Sequence, residues 1–215
     1  MKINEIFLSI SGESFEAGKP AVFIRAHGCN LRCSYCDSLY AVEGLDYTEM
    51  TVDEIVTQVS QFECEKIIFT GGEPLDQLDA IELIGRLLTD GYNVEIETNG
   101  AVDLAILDRF TNDANMTITM DWKCPSSNMR KKMIESNLRK LRSIDVLKFV
   151  VSSAEDLDEM QEVSKVTSAQ CFVSPVFGKI EPKEIVEYIL ENKLFDVRFQ
   201  LQIHKIIWDS NLRGV

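Results

Sequence analysis

Short apolar runs alternate with longer amphipathic stretches along this chain, a rhythm that predicts strand followed by helix, several times over. Residues 2–9, with Ile3, Ile6, Phe7 and Leu8, read as a first strand or hairpin arm. A loop at 11–14 and a turn at 18–20 then lead to a buried strand at 21–25. Thr51 with Glu54 three residues later has capping-box chemistry, and Ile55, Val59 and Phe62 give the helix behind it an apolar face. Further strands are predicted at 66–69, 93–97, 116–120, 146–151, 170–173 and 197–203. Helices are predicted between them at 75–90, on a face of Leu78, Ile81, Ile84 and Leu88, and at 104–110, 129–141, 157–166 and 182–191; the one at 129–141 is basic. About six strand-helix steps imply a parallel sheet with right-handed crossovers. A closed eightfold barrel takes ~250 residues. A chain of 215 is therefore expected to form an α/β fold, an open, partial TIM-like barrel of about six parallel strands with small extra elements at its N-terminus, as one domain over 1–215.

The chemically suggestive residues all fall at the carboxyl ends of predicted strands, where such sheets bind ligands. They are the cysteine loop after 21–25, Thr70-Gly71-Gly72-Glu73-Pro74, Glu97-Thr98-Asn99-Gly100, Asp121-Trp122-Lys123 and Ser174-Pro175-Val176. The loop places cysteines at Cys29, Cys33 and Cys36. A four-iron cluster takes four thiolates. Three close together hold three corners and leave one iron open to a small molecule with amino and carboxylate groups. A zinc knuckle is the alternative, but it needs a second Cys or His pair at ribbon spacing, and none follows. Cys64, Cys124 and Cys171 lie far apart in or beside apolar runs and read as small core residues. His27, beside Gly28, reads as a packing residue rather than an iron ligand. Gly71 and Gly72 let the backbone approach a ligand, and Glu73 at a helix start repels an anion but suits an amine.

Composition narrows the field. With 45% hydrophobic and 27% charged residues the chain can bury a sizeable core without disulfides. No apolar run approaches the ~20 residues of a membrane span. Residues 1–5 lack a signal-peptide layout, so a soluble protein of a reducing cytoplasm is expected. A net charge of -13 argues against a nucleic-acid groove.

The CxxxCxxC spacing behind a strand, with Tyr35 before the third cysteine and the GGEP and ETNG stretches beyond, resembles the radical S-adenosylmethionine (SAM) enzymes. Further marks resemble one family within them, the 7-carboxy-7-deazaguanine synthases. These are Ile10-Ser11-Gly12-Glu13, Arg25, Cys36-Asp37-Ser38, Lys123-Cys124-Pro125-Ser126, and a terminal run from Gln200 to Lys205 closing on Arg213-Gly214-Val215. The resemblance implies a lyase that uses a [4Fe-4S] cluster and SAM, held by Cys29, Cys33 and Cys36, to turn 6-carboxy-5,6,7,8-tetrahydropterin into 7-carboxy-7-deazaguanine with loss of ammonia, in queuosine and related deazapurine biosynthesis. A 5'-deoxyadenosyl radical takes hydrogen from the pterin and its return regenerates SAM. The resemblance assigns SAM contacts to Tyr35, Cys36, Asp37, Gly72, Glu73, Thr98, Asp121, Trp122 and Lys123, and to Ser174, Pro175, Val176 and Phe177 over the adenine. Substrate contacts fall to Ile10, Ser11, Gly12, Arg25 and Thr70, with a terminal carboxylate at Val215. It also implies Mg2+ on the hydroxyl of Ser38, where the family usually has threonine, a one-electron donor such as flavodoxin or ferredoxin, and a homodimer. An activase that installs a glycyl radical on a partner enzyme shares the cysteine loop and GGEP. An electron-carrying iron-sulfur module is the non-enzymatic alternative, and it leaves the strand-end motifs without a task.

Overall fold

The computed structural model describes residues 1–209 and 212–215. Its strands are β1 (Lys2–Ile10), β2 (Pro20–Ala26), β3 (Thr48–Glu49), β4 (Lys66–Gly71), β5 (Asn93–Thr98), β6 (Met116–Trp122), β7 (Val146–Val151), β8 (Gln170–Pro175) and β9 (Val197–Phe199). They form one sheet in the order β3-β1-β2-β4-β5-β6-β7-β8-β9. Strand β2 and strands β4 to β9 are mutually parallel, seven in place of the six or so expected. Strand β1 runs antiparallel to both β2 and β3, as the N-terminal hairpin the pattern predicts. Edge strands β3 and β9 do not pair, so the barrel stays open.

Strand periodicity sorts the side chains onto two faces. Ile67 and Phe69 of β4, Val94 and Ile96 of β5, Ile118, Met120 and Trp122 of β6, and Leu147 and Phe149 of β7 belong to the main apolar core with the helices. The alternate positions face inward, where polar Thr70, Glu95, Glu97, Thr119, Asp121 and Lys148 sit beside apolar Ile68 and Val150. Inside the barrel, Thr119 Oγ1 donates to Glu95 Oε1 at 2.7 Å, and Lys66 Nζ lies 3.0 Å from Glu95 Oε2. The apolar core thus lies between sheet and helices, and the barrel interior is left for chemistry.

Helices α1 (Leu39–Val42), α2 (Val52–Ser60), α3 (Ala80–Thr89), α4 (Ala154–Val163), α5 (Pro182–Glu191) and α6 (His204–Ile207) complete the regular structure with short 3-10 turns. The capping box of α2 forms: Thr51 Oγ1 accepts from Glu54 N–H at 3.3 Å, and Glu54 Oε2 accepts from Thr51 N–H at 2.8 Å. Helix α5 covers the expected residues.

Four expectations need correction. Helix α3 starts at Ala80 rather than 75, because a 3-10 turn at Pro74–Asp76 leads to an extended Gln77 whose amide bridges Lys2 N–H and His27 C=O. Its buried face is then Leu83, Ile84 and Leu87, with Leu78 fully exposed. The basic stretch 129–141 is not one helix but two 3-10 turns, Arg130–Lys132 and Glu135–Arg139. Buried Asn137 explains this: Nδ2 donates to Gly100 and Val102 carbonyls and Oδ1 accepts from Leu104 N–H, while Ile134 N–H also goes to Gly100. Helix α4 starts at Ala154 rather than 157, capped by Ser153. The last strand stops at Phe199 rather than 203, because Gln200 caps the ladder on Val173 and Ile203 N–H turns across to Gly12 C=O.

Leu83→Ala should lower unfolding stability by about 2–5 kcal/mol, while Leu78→Ala should change it by less than about 0.5 kcal/mol. Urea titration of both variants checks the corrected helix face; equal losses would place Leu78 in the core.

Candidate active site

The strand ends converge on a cleft of about 460 Å3, within the usual size for a small-molecule site. The cysteine loop leaves β2 through Gly28, at φ +94°, and is pressed against the end of β4. A Cβ at Gly71 would lie 2.2 Å from Ala26 O, and one at Gly72 1.9 Å from Gly28 O. Only glycine lets these two backbones touch, and two bonds lock them: Gly72 N–H to Ala26 C=O at 3.0 Å and Glu73 N–H to Gly28 C=O at 2.9 Å.

Glu73 is fully buried beneath this contact, off the cleft wall. Its carboxylate accepts from Leu75 N–H at 3.0 Å, Thr98 Oγ1 at 2.8 Å and Asn99 N–H at 2.7 Å. Burial pushes its pKa up to about 7 against the pull of those donors. Asn99 in turn donates from Nδ2 to Asn30 Oδ1 at 2.8 Å and to Cys29 Sγ at 3.4 Å. The GGEP and ETNG stretches are thereby one hydrogen-bonded unit that ends on a loop cysteine.

Cys29, Cys33 and Cys36 all line the cleft as free thiols. Burial raises the Cys29 pKa and pushes that of Cys33 up to about 11. Among the described residues no three His, Cys, Asp or Glu side chains, the loop cysteines included, converge on one metal position. His27 is packed against Tyr47, with ring centroids 4.8 Å apart, away from the cleft wall. Cys124 and Cys171 are buried, and Cys64 is partly buried against the core.

Across from the thiols lies a charge array. Lys123 Nζ sits 2.8 Å from Asp121 Oδ2, and Lys148 Nζ sits 3.0 Å from Glu13 Oε2 and 3.7 Å from Asp121 Oδ2. Burial alone raises the Glu13 pKa, but the Lys148 ammonium outweighs it and holds the carboxyl below its usual range. Asp121 Oδ1 is buried without a hydrogen-bond partner, an acceptor open to a ligand donor. On the opposite wall Arg25 gives Nε to Glu5 Oε1 at 2.7 Å, which also accepts from Tyr40 OH at 2.9 Å. Thr70 Oγ1 donates to Glu97 Oε2 at 2.7 Å, and burial raises the Glu97 pKa. At the mouth Lys205 Nζ lies 2.7 Å from half-exposed Asp37 Oδ2, and the ammonium holds the Asp37 pKa down to about 2. A Cβ at Gly12 would meet His204 Nδ1 at 2.0 Å, so the terminal segment seats on bare backbone there.

Most residues proposed from sequence lie on this wall. From the N-terminal hairpin come Ile10, Gly12 and Arg25, and from the cysteine loop Tyr35, Asp37 and Ser38. Thr70, Gly72, Thr98, Asp121 and Lys123 follow at the strand ends, with Val176, Phe177 and Val215 at the rim. Five do not. Glu73 is the buried tie described above, Ser11 is buried and donates to Glu13 C=O, Ser174 is buried and donates to Glu13 Oε1, and Pro175 pairs opposite Val151. Trp122 follows inward Asp121 in a strand, so its side chain points outward. Its Nε1 donates to Glu159 at 2.9 Å, and Arg130 stacks on its ring. Glu13, Lys148, His204 and Lys205 also line the cleft, and the sequence assigns none of them a contact. For Lys148 the signal is a lone charge at a period-two position inside an otherwise apolar strand.

Residues 23–165 match the model of the Radical SAM superfamily. The chain is 45% identical over 221 residues to the 7-carboxy-7-deazaguanine synthase of Clostridium acetobutylicum, covering 100% of this chain and 99% of that protein. It is 41% identical to the 7-carboxy-7-deazaguanine synthase of Methanospirillum hungatei, covering 96% and 85%. The crystal structure of QueE from Escherichia coli superposes with a TM-score of 0.72 at 20% identity, covering 93% and 92%, and shares the fold.

Glu73 has a folded-state pKa above its unfolded value of 4.5. From about pH 4.5 to about 7 the unfolded chain loses a proton that the folded one keeps, so this group contributes a loss of stability on the order of 3 kcal/mol as pH rises. Metal-free Glu73→Gln should show a flatter fall of stability across that window in pH-resolved chemical denaturation. An unchanged slope would mean that Glu73 is ionised without cost.

Proposed function

Because the chain belongs to the 7-carboxy-7-deazaguanine synthases of the radical SAM superfamily, we propose that this cleft converts 6-carboxy-5,6,7,8-tetrahydropterin into 7-carboxy-7-deazaguanine with release of ammonia, a step of queuosine and related deazapurine biosynthesis. One observation carries the assignment of the site: three thiols and the Arg25–Thr70–Glu97 wall share a single cleft. The donor set suits the group, since three thiols on one cleft wall would hold three corners of a cluster and SAM the fourth. A [4Fe-4S] cluster held by these thiols would supply the one-electron chemistry for reductive cleavage of SAM.

The chain's own residues bind, orient and neutralise. Cys29, Cys33 and Cys36 would hold the cluster. Asp121, with its unpartnered oxygen, would accept from the cofactor's hydroxyl or amino groups, and Lys123 would face its carboxylate. Gly72 and Thr98 bring the backbone and a hydroxyl to the same edge, with Val176 and Phe177 over the adenine. Glu73 acts from behind, by fixing Thr98 and Asn99. Arg25 would receive the pterin carboxylate by a charge-assisted bond, its angle fixed by Glu5 and Tyr40. Backbone at Ile10 and Gly12, the Thr70 hydroxyl and the Val215 terminus would complete the substrate wall. His204, Lys205 and Trp208 narrow the mouth, which suits a small pterin better than the peptide of an activase substrate. Mg2+ would bind the Ser38 hydroxyl with water completing its shell.

Anaerobic enzyme with a reconstituted cluster, dithionite, SAM and carboxytetrahydropterin should yield the deazaguanine product by mass spectrometry. Arg25→Gln should cut kcat/KM by roughly tenfold to a hundredfold through loss of a charged bond; a variant with unaltered kcat/KM removes Arg25 from the substrate contact. Ser38→Ala should abolish any rate response to added Mg2+ and Ser38→Thr should keep it; an intact response in Ser38→Ala puts the ion elsewhere.

A further inference from the structure

The basic segment behind β6 takes no part in the cleft wall. Residues 130–142 carry six lysines and arginines and one acid, on a chain with 35 acidic and 22 basic residues. Half of those cations are engaged in the fold. Arg142 bonds to Asp145 and to the carbonyls of Thr111 and Met116, Lys140 pairs with Asp103, and Arg130 pairs with Glu135 and Glu159 while stacking on Trp122. Lys131 and Lys132 are exposed, and among the described residues no acid pairs with either.

Their position is set by the cysteine loop. Ser34 N–H donates to Ser127 C=O at 3.0 Å, Ser34 Oγ to Ser126 C=O at 2.6 Å, and Arg32 N–H to Met129 Sδ at 3.5 Å. Residues 126–129 therefore buttress the outer side of the loop that carries Cys33, and Lys131 and Lys132 follow one residue later, after Arg130. Arg32, 53% exposed on the loop itself, adds a third cation, with Glu43 3.1 Å away. Asp156 anchors the buttress from below by accepting from Ser126 N–H at 2.9 Å, so the lysines have a fixed base.

The functional reading above requires one electron from outside, and resting on it we infer that the face of Arg32, Lys131 and Lys132 docks an acidic one-electron carrier protein against the outer side of the cysteine loop. Two acidic bodies repel in most orientations. At physiological salt the Debye length is about 8 Å, so a local group of cations governs the encounter once the carrier is near. Such a group makes attraction specific to the orientation that brings the carrier's redox centre to the loop, and it acts on association rate more than on affinity. A nucleic acid fits less well, because two unpaired lysines and a paired arginine on a chain of charge -13 release few counterions.

The test compares two reductants on the same holoenzyme. Lys131→Glu/Lys132→Glu should turn over carboxytetrahydropterin with dithionite within about twofold of the unmodified enzyme, while turnover driven by reduced flavodoxin should fall by about tenfold or more at low ionic strength. Added salt should slow the flavodoxin-driven reaction of the unmodified enzyme and not that of the variant. Lys131→Arg/Lys132→Arg should keep both rates. Equal flavodoxin-driven rates overturn the docking assignment, as does a matching loss with dithionite, which marks a structural role. Binding of a labelled single-stranded RNA that the double variant loses, with flavodoxin turnover unchanged, overturns it in favour of nucleic acid. Failure of the unmodified enzyme with dithionite overturns the functional reading instead.

Discussion

Everything at the site depends on two glycines that let the end of β4 lie against the start of the cysteine loop. Gly72 has no room for a methyl group over Gly28 O, and the backbone bonds from Gly72 and Glu73 to Ala26 and Gly28 exist because of that contact. Directly beneath it the buried Glu73 carboxylate collects three donors from two loops. An anion buried without a cation is costly, and the three donors offset part of that cost. The outcome is a rigid link from Leu75 through Thr98 and Asn99 to Cys29. A loop of small and polar residues is thereby given the fixed position that a three-cysteine centre needs.

A second constraint is the period of the strands. Apolar side chains on one face build the core with the helices, and the other face carries Glu95, Glu97, Asp121 and Lys148 into the barrel. Such an interior is tolerable only if its charges are mutually compensated. Lys148 does much of that by lying between Glu13 and Asp121, while Lys66 balances Glu95 at the other end. The same arrangement orders the site by function: acids and lysines toward one wall, Arg25 with Thr70 and Glu97 toward the other, thiols above. Net acidity of the chain is no obstacle to this, since what matters inside is the pairing.

The strands, the capping box and the motifs at the strand ends were legible in the sequence because each is local: alternation, a Thr–Glu spacing, a pair of glycines, three cysteines in eight residues. Helix boundaries failed where a side chain competes for backbone groups far away, as Gln77 does with Lys2 and His27 and Asn137 with Gly100 and Leu104. Within Asp121-Trp122-Lys123 the tryptophan side chain faces the helices, because neighbours in a strand face opposite ways. Glu13 and Lys148 were missed as a pair because 135 residues separate them, and no spacing rule reaches that far.

The central claim, that backbone contact at Gly72 positions the cysteine loop, is tested most directly by iron and sulfide analysis of Gly72→Ala after anaerobic reconstitution, beside its near-ultraviolet circular dichroism. The expected result is a folded protein that retains well under half of the normal iron and sulfide, because a methyl group there forces Gly28 and Cys29 out of place. Full loading, with a visible spectrum that responds to SAM as the unmodified protein's does, would contradict it.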